Sequence, residues 1–478
     1  MSEAMFEGRF VERGSAEYES ARTSPLFNAR HPTRYPAAIL EAANEADVIA
    51  GVLLANERGW QVSTRSGGHA WAGWSVRDGA LLIDLAGLRE MTVDADNLTA
   101  TARPALRGGQ DLAPFLARHG LVFPGGHCST VGLGGYLLQG GQGWNSRQWG
   151  WGCENVLGVD VVTADGELVH ADVENNSDLY WAARGAGPAF FGVVTRFHLR
   201  VHRMPAAFTH TTYAFPIECF DELLTWAHDV LPTLDIRVEP VIVGTRIAPP
   251  DIDADVGGGP LLIMHTTGMF DTPEEARRLM APLETCPVLD QALLHIFAEP
   301  TSFDDENPIM DAQNPPGMRY AADCVWTDAP AGDLLPILGD LCRSLPTPES
   351  FVIWYGWAPS RPLQDMAFSM EGDVYIAAYT IWQDETDDAI MQEWVTSRFR
   401  ELEPLSKGSY LGDADLTHRP SKFMADDNFA KLQRVARRLR SRSPVLRLLR
   451  LSRRHGDQLR AALTVAFMPR CVWVGRWS

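Results

Sequence analysis

Eight of the nineteen residues from Gly125 to Gly143 are glycine. No helix or strand carries that much glycine comfortably, because each one costs backbone entropy and offers no side chain to pack. The segment is therefore read as a run of tight turns against something that must come close. A smaller cluster stands earlier, at Ser66-Gly67-Gly68-His69. Turns without Cβ atoms suit diphosphates, since several backbone N–H groups can reach the oxygens. The dinucleotide fingerprint is nonetheless absent. Gly132-Leu133-Gly134 is followed by Leu137 where the third glycine belongs, and Gly185-Ala186-Gly187 by Phe190. No Gly-Lys-Ser or Gly-Lys-Thr triplet marks a nucleoside-triphosphate loop. An isolated glycine pair would be read as packing. Here each cluster carries one reactive side chain, His69 or Cys128, among small neighbours that leave room for a large flat ligand.

At 478 residues the chain exceeds the size of a single core, so two domains, or one with a large insertion, are expected. The texture changes near Pro205. Before it, strands are expected at 61–65, 81–84, 91–93, 98–103, 156–163, 168–171 and 191–203. Helices are expected over 37–58, 110–119 and 178–183. Ile39, Leu40, Ala43, Ala50, Leu53 and Leu54 form the apolar stripe of the first helix, and Gly59 ends it. After Pro205, helices over 218–230, 273–282 and 387–402 alternate with strands over 239–246, 260–267, 350–357 and 373–382. That alternation predicts a sheet covered on one face by helices. Proline-rich stretches at 300–316 and 358–363 are read as loops.

The net charge of -19 argues against nucleic acid as a partner, because phosphate backbones select basic surfaces. The charge is uneven. From Lys431 onward there are 13 Lys/Arg and one acid, Asp457. No apolar run approaches a bilayer-spanning length, so no membrane partner is expected. The first 25 residues lack the apolar core of a secretory signal. Seven scattered cysteines without a CxxC imply neither a disulfide framework nor a metal site. A cytoplasmic location is the expectation.

Thr64-Arg65-Ser66-Gly67-Gly68-His69-Ala70-Trp71-Ala72-Gly73 resembles the flavin-attachment turn of the berberine-bridge-enzyme-like oxidases, within the vanillyl-alcohol-oxidase superfamily. Pro124-Gly125-Gly126-His127-Cys128-Ser129-Thr130-Val131-Gly132-Leu133-Gly134-Gly135 resembles the second attachment loop of that family. Matches continue through Gly140-Gly141-Gln142-Gly143-Trp144, Asn155-Val156-Leu157 and Phe191-Gly192-Val193-Val194-Thr195. The resemblance is dense over residues 25–205 and looser to 432. It implies an α+β fold, with a PCMH-type FAD-binding domain of two α/β subdomains. A substrate domain with an antiparallel sheet under helices would complete it. The boundaries it implies are 1–205 for the FAD domain, 206–408 for the substrate domain and 409–435 for a return to the FAD domain. Residues 436–478 would be a divergent basic tail.

The same resemblance implies a bicovalent FAD, bonded through His69 to the 8α carbon and through Cys128 to C6. Arg65, Ser66, Gly67, Gly68, Ala70, Thr130, Val131, Gly132, Gly135, Gly140, Gly141, Gly143, Trp144, Asn155 and Val193 are the further cofactor residues it suggests. Valine at 131 goes with oxygen access in relatives and points to O2 as acceptor. A neutral imidazole and a thiolate are suitable nucleophiles for a flavin ring.

The cofactor carries the hydride chemistry, and the protein supplies orientation and a base. Lys407-Gly408-Ser409-Tyr410-Leu411-Gly412-Asp413 resembles the family's Asn-Tyr pair, with Ser409 in place of Asn. Tyr410 is the leading candidate base. Tyr375 and Tyr379 share one face of the 373–382 strand and are lesser candidates, with no carboxylate beside Ala377 on that strand. Trp71, Trp144, Trp354 and Trp357 are candidates for an aromatic pocket. The expected function is an FAD oxidase acting on a secondary alcohol, sugar hydroxyl, amine or natural-product ring and releasing hydrogen peroxide. The alternatives are a flavin dehydrogenase with another acceptor and a flavin-binding protein without turnover. The oligomeric state is left open.

Overall fold

The structure is a computed structural model that describes residues 6–249, 252, 259–358 and 361–442. The expected basic tail falls almost wholly outside the described residues.

The first lobe carries two small sheets, beside a two-stranded pairing of Leu121–Val122 with His202–Arg203. Strands β1 (Arg9–Glu12), β2 (Ala38–Glu41), β3 (Val62–Arg65) and β4 (Leu81–Asp84) form one, in the order β1-β2-β4-β3, with β2 and β3 both parallel to β4. Strands β5 (Met91–Asp94), β6 (Thr99–Ala102), β7 (Val156–Val162), β8 (Leu168–Asp172) and β9 (Val193–Arg200) form the other, antiparallel throughout, in the order β5-β6-β9-β7-β8.

The helix Glu45–Arg58 buries Val48, Val52 and Ala55 against both sheets. The expected helix over 37–58 is corrected here. Ile39 and Leu40 lie in β2, and the helix begins only where the Asn44 side chain accepts from the Asp47 N–H. A short apolar run fits strand or helix equally well by periodicity; the asparagine cap decides the boundary. Gly59, at φ 72°, ends the helix as expected.

The second lobe is a seven-stranded antiparallel sheet. Its strands are β10 (Ala207–Pro216), β11 (Val238–Thr245), β12 (Leu261–Phe270), β13 (Leu294–Pro300), β14 (Arg319–Thr327), β15 (Phe351–Gly356) and β16 (Val374–Trp382). Their order is β13-β10-β12-β11-β15-β16-β14. Helices Phe220–Val230, Pro273–Met280, Ala331–Arg343 and Asp388–Leu402 cover one face. The other face turns toward the first lobe and shares its main core.

Residues 303–313 are a helix, which corrects the loop expected over 300–316. Ser302 caps it by accepting from the Asp305 N–H, and Asp304, Asp305 and Glu306 favour its positive end. Pro308 lies inside it.

The lobes are stapled together at several points. Asn28 donates to the Trp71 and Tyr320 carbonyls, and its Oδ1 accepts from the Tyr320 N–H. The Arg147 guanidinium donates to the Val238 and Ala358 carbonyls of the second lobe. Asp311 of the 303–313 helix accepts from the Ser129 N–H at 3.0 Å and from its hydroxyl at 2.5 Å. After the last covering helix the chain runs back to the junction, where the Gly408 carbonyl accepts from the Trp326 N–H.

Candidate active site

The glycines of the two clusters meet each other. A Cβ on Gly67 would lie 2.6 Å from the Gly132 nitrogen, and one on Gly132 would lie 2.7 Å from the Gly67 Cα. The two turns are packed backbone to backbone, a contact only glycine permits. Gly68, at φ +71°, presses against the Pro25 carbonyl. This close approach brings His69 and Cys128 to one wall.

That wall borders a cavity of about 800 Å³ between the lobes. Arg65, Ser66, Gly67, Gly68, His69, Ala70, Cys128, Val131, Gly132, Gly135, Trp144 and Val193 line it. Thr130 stands beside both candidate attachment residues. Its hydroxyl is 3.5 Å from the Cys128 sulfur, and its backbone faces the His69 ring. Gly140, Gly141, Gly143 and Asn155 lie off the cavity wall. Gly141 donates its N–H to the Tyr410 hydroxyl oxygen at 3.1 Å, and Asn155 holds the Trp149 and Trp151 carbonyls. The Arg65 guanidinium is spent on Asp84 and on the Arg22 and Ala21 carbonyls, which anchors the Ser66–His69 turn from behind.

Electrostatics distinguish the two reactive groups. Burial lowers His69 to about 4, against the opposing pull of Asp311 and of the Thr130 backbone. Its imidazole is neutral at physiological pH and stacks on Phe27 at 4.4 Å. Burial raises the Cys128 thiol, so this residue rests as the protonated thiol rather than the expected thiolate.

The opposite wall is the open face of the second lobe's sheet. One cross-strand row runs Thr212, His265, Val241, Tyr355, Tyr375. Tyr375, Tyr379 and Tyr410 all line the cavity. The Tyr410 oxygen accepts from the Gly141 and Gln142 N–H groups, at 3.1 and 3.4 Å. Burial and the neighbouring Asp413 raise its pKa, while these two donors oppose them.

Sequence reasoning missed Asp413 as a functional group, although it closes the motif around Tyr410. This carboxyl accepts from the Tyr375 hydroxyl at 2.6 Å and from the Trp71 indole N–H at 3.1 Å. Burial raises it, against the hydrogen bonds from Tyr375, Trp71 and Tyr379. Also missed was the cluster of His210, His265 and Glu306, which comes from separate elements and has no local signature. Trp71 and Trp144 line the cavity. Trp354 does not: Ile353 faces the cavity, so its neighbour in the strand faces the covering helices. Trp357 packs in the core on Trp151 and Trp326.

The residues fit a flavin. The cavity has a glycine-lined wall, a neutral imidazole and a thiol. Gln142 Nε2 and Trp144 Nε1 are buried there without a protein hydrogen-bond partner, so a ligand's acceptor atoms would satisfy them.

Similarity to known proteins identifies this two-lobed α+β chain as a flavoprotein. Residues 36–172 match the family model described as an FAD binding domain. The FAD-linked oxidoreductase ptmO of Penicillium ochrochloron is 35% identical over 428 residues, covering 89% of this chain and 93% of that one. Among solved structures, 6-hydroxy-D-nicotine oxidase from Arthrobacter nicotinovorans superimposes with a TM-score of 0.76 at 20% identity, covering 92% of this chain and 96% of that one. BBE-like 1 from Physcomitrella patens gives 0.76 at 20%, covering 92% and 95%. The chain belongs to the FAD-linked oxidoreductases, and its fold is that of the BBE-like structures.

Proposed function

We propose that this chain is an oxidase that holds FAD covalently through His69 and Cys128, oxidises an alcohol or amine, and passes the electrons to O2 to give hydrogen peroxide. The observation that carries the reading is the packing of Gly67 on Gly132, which sets both side chains on the wall facing Tyr375, Tyr410 and Asp413. When bound, FAD supplies a two-electron acceptor for the substrate's hydride.

The protein's own part is the proton. As the substrate C–H bond gives up its hydride, the substrate O–H or N–H must lose a proton. Tyr375 is placed to take that proton on its oxygen while passing its own to Asp413, 2.6 Å away. Buried Asp413 has no solvent shell to stabilise its charge, so neutralisation by that proton is favourable. The Tyr410 oxygen already accepts two backbone N–H bonds, and its hydroxyl suits holding the reacting group. This reading moves the lead from Tyr410 to the Tyr375–Asp413 pair. Val131 on the cavity wall supports oxygen as the acceptor, by the family resemblance.

The test is the mass and colour of the purified protein after acid precipitation. Retained yellow colour and an intact mass increased by one FAD support covalent binding. Cys128→Ala and His69→Ala should each leave a single link, and a flavin released entirely from wild type would defeat the covalent reading. Peroxide formed in step with substrate oxidation separates the oxidase from a dehydrogenase. Val131→Ile should slow reoxidation by O2 while sparing reduction of a dye.

A further inference from the structure

The second lobe's cavity face ends in a directed chain of hydrogen bonds. Glu306 is buried and accepts on one oxygen from the Thr301 hydroxyl at 2.7 Å. Its other oxygen lies 3.0 Å from His265 Nε2. His265 Nδ1 lies 2.8 Å from the Thr212 hydroxyl, which lies 3.0 Å from His210 Nδ1. An ionised carboxylate only accepts, so His265 carries its proton on Nε2. In the neutral ring its Nδ1 accepts from the Thr212 hydroxyl, and the Thr212 oxygen then accepts from His210 Nδ1–H. The chain ends on Nε2 of His210, left with a lone pair and no proton. Burial lowers His210 and keeps its ring neutral. The residue lines the cavity.

From that end, the row through Thr212 leads to Tyr375 four strand spacings away, roughly 19 Å at about 4.8 Å per spacing. The stretch between is apolar on one side: Val241 lies in the row beside Tyr355, and Ile263, Val243 and Ile353 make the next row, all on the cavity wall, while Thr267 and Glu239 line the wall on the His210 side. An oligosaccharide laid against the Ile263, Val243 and Ile353 row would bury the hydroxyls on that side with no partners, at a cost for each. Neither row carries a Lys or Arg to meet an anion, and Glu306 is already paired.

We infer that the cavity takes an extended, uncharged, mostly apolar ring alcohol whose remote hydroxyl donates to Nε2 of His210. The assignment rests on the proposed oxidase reading for the reacting end only. It makes His210 a specificity residue, positioned by Thr212, His265 and Glu306.

The test measures binding of three probes to the purified holoprotein without oxygen: androstanol, androstane and xylotetraose, followed by quenching of tryptophan fluorescence. Androstanol should bind about tenfold more tightly than androstane, the worth of one buried hydrogen bond, and at least roughly a hundredfold more tightly than xylotetraose. His210→Phe should keep the androstane affinity and erase the advantage of the hydroxyl. Thr212→Val, which breaks the chain one bond back, should shrink that advantage. Equal or tighter binding of xylotetraose, or an unchanged ratio in His210→Phe, overturns the inference. Flavin content is measured separately by acid precipitation. Protein lacking flavin yet keeping the hydroxyl preference would defeat the oxidase reading and support this one.

Discussion

The Tyr375 hydroxyl donates to Oδ2 of Asp413 across 2.6 Å, while Oδ1 of the same carboxyl takes the Trp71 indole N–H. Trp71 is two residues from His69, so one buried acid ties the candidate attachment turn to the tyrosine-bearing sheet. Asp413→Asn keeps an acceptor oxygen for one of the two donors and removes the proton sink. The rate of anaerobic flavin bleaching by substrate should fall roughly 10²- to 10⁴-fold, with flavin content unchanged. Stopped-flow absorbance reads both, and an unaltered bleaching rate would remove Asp413 from the chemistry.

Tyr410→Phe removes the acceptor of two N–H groups, the buried one of Gly141 and the half-buried one of Gln142. Stability should drop by about 1–3 kcal/mol in urea unfolding. If Tyr410 holds the reacting group while Tyr375 carries the proton, Tyr375→Phe should lower the limiting bleaching rate more than Tyr410→Phe. Tyr410→Phe should mainly raise the substrate concentration needed. The reverse ordering restores Tyr410 as the base.

Arg65 and Asp84 form a buried ion pair behind the Ser66–His69 turn, with Nε 2.7 Å from the carboxylate. Asp84→Asn leaves a buried guanidinium without its countercharge and should cost about 3–5 kcal/mol. Because the same arginine holds the Ala21 and Arg22 carbonyls, flavin incorporation should fall with it. Calorimetry and the ratio of flavin to protein absorbance check the two effects. Full incorporation in this variant would show that the turn does not depend on the pair.

Glu239 is fully enclosed, accepts from the Asn145 and Arg147 N–H groups, and is pushed by burial from 4.5 up to about 7. The folded state therefore holds this proton where the unfolded chain has lost it. Its contribution to stability is greatest below pH 4.5 and declines as pH rises toward 7. Glu239→Gln has no such proton. Between pH 5 and pH 8 the stability of the variant relative to wild type should improve by about 2–3 kcal/mol. Urea unfolding at the two pH values tests it, and a constant difference would place the carboxyl outside this linkage.

His69 and Cys128 stand out in the sequence because each lies in a local pattern, a glycine turn whose spacing survives in the linear chain, and both line the cavity. The alternation of strand β16 likewise set Tyr375 and Tyr379 on one face, where both line the cavity. Asp413 was in view but unassigned, since its partners come from a strand and from a turn hundreds of residues away. The Glu306–His265–Thr212–His210 chain joins a helix to two neighbouring strands and leaves no spacing to read. Trp354 was misplaced because a single aromatic residue does not reveal which face of a strand it takes. Ile39 and Leu40 were assigned to the wrong element because two apolar residues fit either periodicity.

The staples across the junction have a mechanical consequence. Asn28, Arg147 and Asp311 each bond the opposite lobe through backbone groups or a buried hydroxyl. Swinging the lobes apart would break all three at once and bare the core they share. A hinge-like parting of the lobes is therefore a costly way to admit substrate or release product.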